Sequence, residues 1–272
     1  MQLTHLFQQA KQASRSVASM TDEARNAVLL AVAEEIRTQS ASLLQANRKD
    51  LAAMHKSNPL YDRLMLTDER LCVISHDMEN VTRLPSPLGR VSHERTLDNG
   101  LRLHRVSVPF GVIGVVYEAR PNVTFDVFAL CFKSGNVCVL KGGRDAEASN
   151  QVAVDLIHGV LRRMGVDEQA VVLLPATHEA TAEMLNAVGY IDLCIPRGGR
   201  KLIDFVRDTA RIPVIETGAG VVNTYFDETG DLEKGKAIVL NAKTRRVSVC
   251  NALDCLLVHV ARLADLPALL EP

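Results

Sequence analysis

The middle of the chain alternates short apolar runs with longer amphipathic stretches. Residues 112–117 and 137–140 are apolar and rich in β-branched side chains, which is typical of buried strands. Residues 124–133 between them predict a helix with Thr124 as its N-cap and Gly135 just beyond its end. The order strand, helix, strand indicates a right-handed crossover in a parallel sheet.

The first third of the chain predicts helices. Apolar residues recur with helical spacing in four stretches, residues 3–20, 22–38, 41–55 and 68–81. Thr21 and Thr67 each precede two acidic residues, a pattern typical of helix N-caps. Residues 95–108 alternate around an Asp-Asn-Gly turn and predict a β-hairpin, which is either a simple cover or an oligomer contact.

The alternation continues after Gly143 as far as Glu216. Helices are predicted at residues 147–164, 179–188 and 200–209, and strands at residues 171–174, 191–195 and 212–215. This order favours a doubly wound parallel sheet. Beyond Glu216 the pattern changes to three candidate strands, residues 221–226, 238–240 and 255–260, and a helix broken by Pro267. We therefore predict a first domain at residues 1–216 and the start of a second at residues 217–272.

Composition narrows the class of protein. The 272 residues include 23% charged and 47% hydrophobic side chains, which is ordinary for a globular protein. The net charge of −1 gives no reason to expect a nucleic acid or an anionic membrane as partner. No apolar run approaches the ~20 residues of a membrane span, and the start lacks the apolar core of a signal peptide. Six cysteines without a CxxC pair favour a reducing compartment, so we expect a cytoplasmic protein.

Polar residues follow the predicted strands at the edge where open α/β sheets bind ligands. Glu118 and Asn122 follow the first strand, and Lys141 and Arg144 follow the second. The chain has no GxGxxG motif, and Lys141 stands where NAD-binding folds place an acid for the ribose hydroxyls. A cation there favours NADP(H) over NAD(H). The alternative interpretation is that Lys141 is only a solvated strand end.

The second chemical signal is Cys250. It follows a basic loop and precedes a predicted short helical turn, in the stretch LNAKTRRVSVCNALD. A thiol at a helix N-terminus near cationic side chains has a lowered pKa and is a good nucleophile. Cys250, Cys255 and His259 would point to different faces of a strand, so no metal site is predicted.

Four motifs in order carry a resemblance to a known family. VPFGVIGVVYEARPNVT, KSGNVCVLKGG, IPRGG and NAKTRRVSVCNALD resemble the gamma-glutamyl phosphate reductases of the aldehyde dehydrogenase superfamily, over essentially the whole chain. The resemblance implies an aldehyde dehydrogenase-like α/β fold: a modified Rossmann parallel sheet with N-terminal helices and a second α/β catalytic domain. It also implies NADPH as cofactor, a small-molecule substrate, and a homo-oligomer built through the hairpin.

The same resemblance implies roles for individual residues. Cys250 corresponds to the nucleophile, Asn122 to the oxyanion-hole amide and Lys141 to the ribose-binding lysine. Glu216 stands where the wider superfamily often carries a general base, and a structural role as a strand-end acid stays open. The remaining assignments are Arg144, Gly198 and Gly199 to the cofactor, and Arg197, Arg245 and Arg246, unranked, to the substrate phosphate.

The implied reaction is the NADPH-dependent reduction of L-glutamate 5-phosphate to L-glutamate 5-semialdehyde through a cysteine thioester, a step of proline biosynthesis. The alternatives are an aldehyde dehydrogenase that oxidises another semialdehyde and a non-catalytic nucleotide-binding fragment. Members of the family continue well past Pro272, so residues 217–272 are expected to be an incomplete catalytic domain. A protein ending there is expected to bind NADPH weakly and not to turn over.

Overall fold

A computed structural model describes residues 3–58, 60–118, 120–216, 220–245, 247 and 249–271. The chain divides into two compact units, Met1–Glu216 and Thr217–Pro272. Within the described residues, no helix combines the length and the apolar character needed to cross a membrane.

Five helices open the first unit: α1 (Thr4–Ser19), α2 (Asp22–Thr38), α3 (Ser40–Ala53), α4 (Tyr61–Leu64) and α5 (Asp68–Arg83). The two predicted N-caps are confirmed. The Thr21 hydroxyl accepts a hydrogen bond from the Ala24 N–H, and the Thr67 hydroxyl accepts one from the Arg70 N–H. Helix α2 packs against α5, and the buried faces of both helices carry leucine and isoleucine.

The predicted hairpin follows as β1 (Val91–Thr96) and β2 (Arg102–Val106), which pair antiparallel. Gly100 closes the turn with a φ of 85°, a conformation that glycine adopts without strain. Every residue of both strands is exposed. A two-stranded ribbon that is exposed on both faces is marginally stable by itself.

The sheet of the first unit is built from alternating strands and helices: β3 (Val112–Tyr117), α6 (Pro121–Lys133), β4 (Val137–Lys141), α7 (Glu147–Arg163), β5 (Val171–Leu173), α8 (His178–Leu185), β6 (Leu193–Arg197) and α9 (Arg200–Thr209). The four strands are parallel in the order β5-β4-β3-β6. Strand β3 is buried throughout, as expected for a central strand covered by helices on both faces.

Several boundaries in this unit, such as those of helix α8 and strand β6, differ from the prediction by a few residues, and two other differences have a clear physical reason. Helix α6 begins at Pro121, not near Thr124, because proline suits the first helical position, where no N–H is needed. Thr124 is therefore an interior, buried residue and not an N-cap. The predicted strand at 212–215 is reduced to a single parallel bridge between Val214 and Cys194, since Pro213 has no N–H to extend the ladder.

The second unit contains β7 (Asn223–Phe226), α10 (Leu232–Thr244), β8 (Cys255–Val258) and α11 (Leu266–Leu270), with β7 and β8 parallel. The predicted strand at 238–240 is wrong, because these residues lie inside α10, which begins at the Asp231 N-cap. Of residues 238–240 only Val239 is buried, as expected where one face of a helix is covered. Pro267 does not break a helix. It lies in the first turn of α11, where proline is tolerated.

Candidate active site

Three neighbouring strands end at one edge of the sheet. The register pairs Val116 of β3 with Lys141 of β4, and Tyr117 of β3 with Arg197 of β6. Asn122 follows β3 in the first turn of α6. The structure therefore brings Asn122, Lys141 and Arg197 to the same carboxyl edge, where ligands bind in open α/β sheets.

Asn122 is half-buried, and its side chain is held by the next turn of its own helix. Its Nδ2 donates to Asp126 Oδ2 at 2.9 Å. Burial raises the pKa of Asp126 to about 6, with Asp77 adding to the rise and the Asn122 hydrogen bond and the Arg197 charge opposing it. Sequence reasoning missed Asp126, although its spacing of four residues from Asn122 on a helix was a usable signal.

A buried polar chain lies beneath the loop that follows β4. The Tyr117 and Thr124 hydroxyls are 2.8 Å apart, and the Thr124 hydroxyl donates to Asn150 Oδ1 at 2.9 Å. Burial raises the pKa of Tyr117 well above its ordinary value. A Cβ at Gly142 would lie 2.3 Å from Asn150 Nδ2, so only glycine lets the chain leave Lys141 along this path.

The N-terminus of α7, next along this loop, is already occupied. Asp50 of α3 is buried, and its carboxylate accepts hydrogen bonds from the Ala148 and Ser149 N–H groups at 3.1 and 2.8 Å. These donors are the ones a phosphate would use at a helix N-terminus. Asp50 lies far away in sequence, so no local pattern predicts this contact.

Lys141 and Arg144 form a pair of cations at the end of β4. Lys141 is half-buried. Its pKa is lowered, first by burial and then by the positive charge of Arg144. Within the part of the chain that the structure describes, neither side chain has an ion-pair partner. Two uncompensated cations are a donor set that suits a phosphate group.

Arg197, Gly198 and Gly199 lead from β6 into α9. Gly199 is the N-cap of α9, and its N–H donates to Glu118 Oε2 at 3.0 Å. A Cβ at Gly198 would lie 2.7 Å from the Glu118 carboxyl carbon, so glycine at this position allows the Glu118 carboxylate to lie against the helix N-terminus. An internal anion thus occupies the position that sequence analysis assigned to the cofactor.

Glu216 ends the first unit and lies 3.6 Å from Arg207 of α9, measured from Oε1 to Nη1. Arg207 also pairs with Asp204 and Asp208, so the three acids share one guanidinium. This arrangement is that of a surface ion-pair cluster, and it leaves the role of Glu216 as a base a prediction.

Cys250 is exposed and lies in a loop of the second unit that is closed at its base. The Leu253 N–H donates to the Ala242 carbonyl at 2.9 Å, and Lys243 Nζ donates to the Leu253 carbonyl at 2.9 Å. Leu253 is buried, so the loop turns back toward α10 instead of starting a helix. Among the described residues no helix begins at Cys250: a single turn, in which the Ala252 N–H donates to the Val249 carbonyl at 3.1 Å, precedes β8.

An open cavity of about 180 Å³ lies beside this loop. It is lined by Asn241, Ala242, Arg245, Val249, Asn251 and Ala252, which include both chain neighbours of Cys250. A Cβ at Gly220 would lie 3.7 Å from the Cys250 carbonyl oxygen, so Gly220 also lies close to this loop. Arg246 lies outside the described residues. In the described part of the chain, no three His, Cys, Asp or Glu side chains are grouped to hold a metal ion.

No protein-family model matches the chain, but individual proteins match it in sequence and in structure. The gamma-glutamyl phosphate reductase of Pelodictyon phaeoclathratiforme is 60% identical over 262 residues, which are 96% of this chain and 63% of the relative. The crystal structure of the Thermotoga maritima gamma-glutamyl phosphate reductase matches all of this chain and 67% of its own, at 36% identity and a TM-score of 0.88.

The fold extends to the wider superfamily. A probable aldehyde dehydrogenase from Listeria monocytogenes is 15% identical and has a TM-score of 0.74 over 99% of this chain and 57% of its own. The predicted aldehyde dehydrogenase-like α/β fold is thereby confirmed. The chain spans slightly less than two thirds of the length of the curated relatives that it matches. With its fold, its motifs and these identities taken together, the chain belongs to the gamma-glutamyl phosphate reductase family.

Proposed function

We propose that the protein reduces L-glutamate 5-phosphate to L-glutamate 5-semialdehyde and phosphate with NADPH, as a step of proline biosynthesis. The observation that carries the proposal is the exposed Cys250 on a loop whose neighbouring residues share a cavity with Arg245. A nucleophile beside a cation-lined cavity suits an acyl phosphate, which is an activated carbonyl with an anionic leaving group. The relatives named for this substrate support the assignment.

Cys250 is proposed as the covalent nucleophile. Its thiolate attacks the acyl carbon, forms the C–S bond and generates an oxyanion, which the amide of Asn122 is proposed to stabilise. Collapse of the oxyanion breaks the C–O bond to phosphate and leaves a thioester on Cys250. Because phosphate leaves as an anion, this step needs positive charge and no strong acid.

Arg245 is the favoured phosphate ligand among the three arginines considered. It is exposed at the end of α10 and lines the cavity next to Cys250. Arg197 lies in the first unit, at the end of β6, and is proposed to act there on the electrostatics of the carboxyl edge. A guanidinium binds phosphate through two parallel hydrogen bonds, which also orients the leaving group.

Lys141 and Arg144 fit the 2′-phosphate of NADPH. Lys141 and Arg144 are close enough for the positive charge of Arg144 to lower the pKa of Lys141. The Gly199 N–H donates to the Glu118 carboxylate. The assignment of Gly198 and Gly199 to the diphosphate of NADPH stays a prediction, and it requires the Glu118 carboxylate to leave the N-terminus of α9. Bound NADPH supplies the hydride that reduces the thioester carbonyl. Cys250 then departs as a thiolate when the resulting hemithioacetal collapses to the aldehyde. Glu216 has no required proton transfer in this direction.

The hairpin β1–β2 is proposed as the contact between subunits of a homo-oligomer. It exposes apolar side chains on a ribbon that is marginal alone, among them Val91, Leu103 and Val106. Replacing Leu103 with glutamate would place a charge in that contact. The variant is expected to sediment as a smaller species than the unaltered protein, and an unchanged sedimentation coefficient would remove the hairpin from the interface.

An oxidative aldehyde dehydrogenase is the alternative that needs a direct test. The purified full-length protein is assayed in reverse with glutamate 5-semialdehyde and NADP⁺, with and without inorganic phosphate. An acyl phosphate reductase requires phosphate, because phosphate must cleave the thioester. Formation of NADPH without phosphate would favour the oxidative enzyme, and no turnover together with slow thiol labelling of Cys250 would favour a binding module.

A further inference from the structure

Asp126 has no part in the mechanism above, yet it makes a direct contact with a residue that has. It lies one helical turn after Asn122 on α6, is half-buried, and accepts the Asn122 Nδ2 hydrogen bond at 2.9 Å. The contact joins two residues of the same helix. The effect of this contact depends on the different hydrogen-bonding properties of the two ends of the Asn122 side-chain amide.

An asparagine amide has a nitrogen end with two N–H donors and an oxygen end that only accepts. An ionised carboxylate can only accept, so it selects the nitrogen end of its partner. With one N–H held by Asp126, the second N–H of Asn122 remains available to a substrate oxygen. If the amide were rotated by half a turn, its oxygen would face the developing negative charge and repel it.

We propose that Asp126 is a positioning residue, which fixes the amide of Asn122 with its nitrogen toward the reacting carbonyl oxygen. The inference rests on the proposed function, since it needs Asn122 to stabilise an oxyanion. It adds to that function a reason why the carboxylate stands four residues after the asparagine on the buried side of the helix.

Two charged groups from other elements face Asp126. Arg197, at the end of β6, favours its ionised form, and Asp77 of α5 disfavours it. The ionised form imposes the amide orientation. The protonated form can donate to the oxygen end and so permits the rotated amide. Orientation is therefore enforced at neutral pH and relaxed as the pH falls through the pKa of Asp126.

The simpler interpretation is that Asn122 and Asp126 form an ordinary helix-stabilising pair. The chain offers a matched example on α7, where exposed Gln151 donates to Asp155 at 2.9 Å over the same spacing of four residues. Asp155→Asn therefore removes a comparable carboxylate whose partner, Gln151, has no proposed role in the reaction. It is the control for any effect on helix stability alone.

The test measures kcat, KM and thermal stability of the purified full-length protein and its variants. Asp126→Leu is expected to lower kcat about tenfold, less than the ~10²–10³-fold cost of deleting an oxyanion donor. The KM for NADPH and the melting temperature stay close to those of the unaltered protein. Asp126→Asn, which can donate as well as accept like the protonated carboxyl, is expected to have at neutral pH the reduced kcat that is expected of the unaltered protein below a pH of about 6, and to show no further loss there.

A double-mutant cycle separates positioning from structure. In the Asn122→Ala background, Asp126→Leu is expected to cost nothing further, because the group it positions is gone. The same tenfold loss in both backgrounds, or normal kcat in Asp126→Leu, would overturn the proposal. Asp155→Asn is expected to leave kcat unchanged.

A readout that does not depend on turnover is the pair of NMR signals from the Asn122 side-chain amide. They are expected to shift with pH in the unaltered protein, with a midpoint of about 6, and to be insensitive in Asp126→Asn. Signals that do not titrate would overturn the contact itself. A full-length protein without reductase activity would instead overturn the proposed function, and with it the catalytic role of Asp126, even if the signals titrate.

Discussion

At the scale of the residue, the proposed chemistry depends on the thiol of Cys250. Cys250→Ala is expected to abolish formation of semialdehyde in the full-length protein, because no other group forms the thioester, while the affinity for NADPH stays nearly unchanged. Cys72→Ala is the control, since Cys72 is an exposed cysteine on α5. Turnover is followed by NADPH absorbance and binding by NADPH fluorescence. Normal turnover by the Cys250 variant would exclude covalent catalysis.

Lys141 is expected to decide between the two nicotinamide cofactors. Lys141→Ala should raise the KM for NADPH more than the KM for NADH, since only NADPH carries the 2′-phosphate. Equal effects on both cofactors would mean that Lys141 does not contact that phosphate.

The lowered pKa of Lys141 adds a dependence on pH. The ammonium is charged below that pKa and neutral above it, so the preference for NADPH should decline in alkaline solution before an ordinary lysine would lose its proton. The ratio of the two KM values, measured across the alkaline range in the unaltered protein and in Lys141→Ala, gives the comparison. A ratio that is as steep in the variant as in the unaltered protein would assign the titration to another group.

At the scale of the element, the contribution of a helix N-cap to the free energy of unfolding can be predicted. Thr21→Ala removes the acceptor for the Ala24 N–H and is expected to lower the free energy of unfolding by about 1 kcal/mol. Thr38→Ala at the other end of α2 is the control, because its hydroxyl only donates to the Glu34 carbonyl of an already formed turn. Urea unfolding of both variants measures the difference, and equal losses would remove the cap as the cause.

The elements that the sequence predicts well are those with local signals. Helix α9 begins and ends as predicted, and β3 has the predicted bounds, because caps, glycines and β-branched runs act over a few residues. The apolar run 238–240 was assigned to a strand because three residues cannot distinguish the two periods. Its helix is determined by the Asp231 cap and by the packing of Val239.

The candidate site divides in the same way. Motifs and positions after strands predict Cys250, Asn122 and Lys141 as candidate site residues, and their roles stay predictions. The contacts of Asp50 with the N-terminus of α7 and of Glu118 with the Gly199 N–H join residues that are far apart in sequence. No local pattern encodes such contacts, since they depend on which elements the sheet places side by side.

At the scale of the whole molecule, the two units differ in the size of their cores. The first unit contains one continuous cluster of buried side chains around its sheet. Among the described residues of the second, the buried apolar side chains are Phe226, Val239, Leu253 and Leu269. A smaller core gives a smaller free energy of local opening, so the second unit should open more often.

Limited proteolysis of the 272-residue chain is expected to cut first beyond Glu216 and to leave a resistant fragment of about residues 1–216. Mass spectrometry of the early fragments locates the first cuts. Early cleavage within α1 to α5 would contradict the expected order of stability. The exposed turn between β1 and β2 serves as the internal reference for a flexible site in the first unit.

The buried phenol of Tyr117 also provides an intrinsic spectroscopic probe of unfolding. The chain has no tryptophan and four tyrosines, and Tyr61, Tyr190 and Tyr225 are at least partly exposed. In a spectrophotometric titration with base, Tyr117 should form tyrosinate only when the first unit unfolds. Its raised pKa means that the unfolded state gains the phenolate first, so stability should fall as the pH rises above the ordinary tyrosine pKa. A step in the tyrosinate absorbance that coincides with loss of circular dichroism would report the opening of the sheet without any added label.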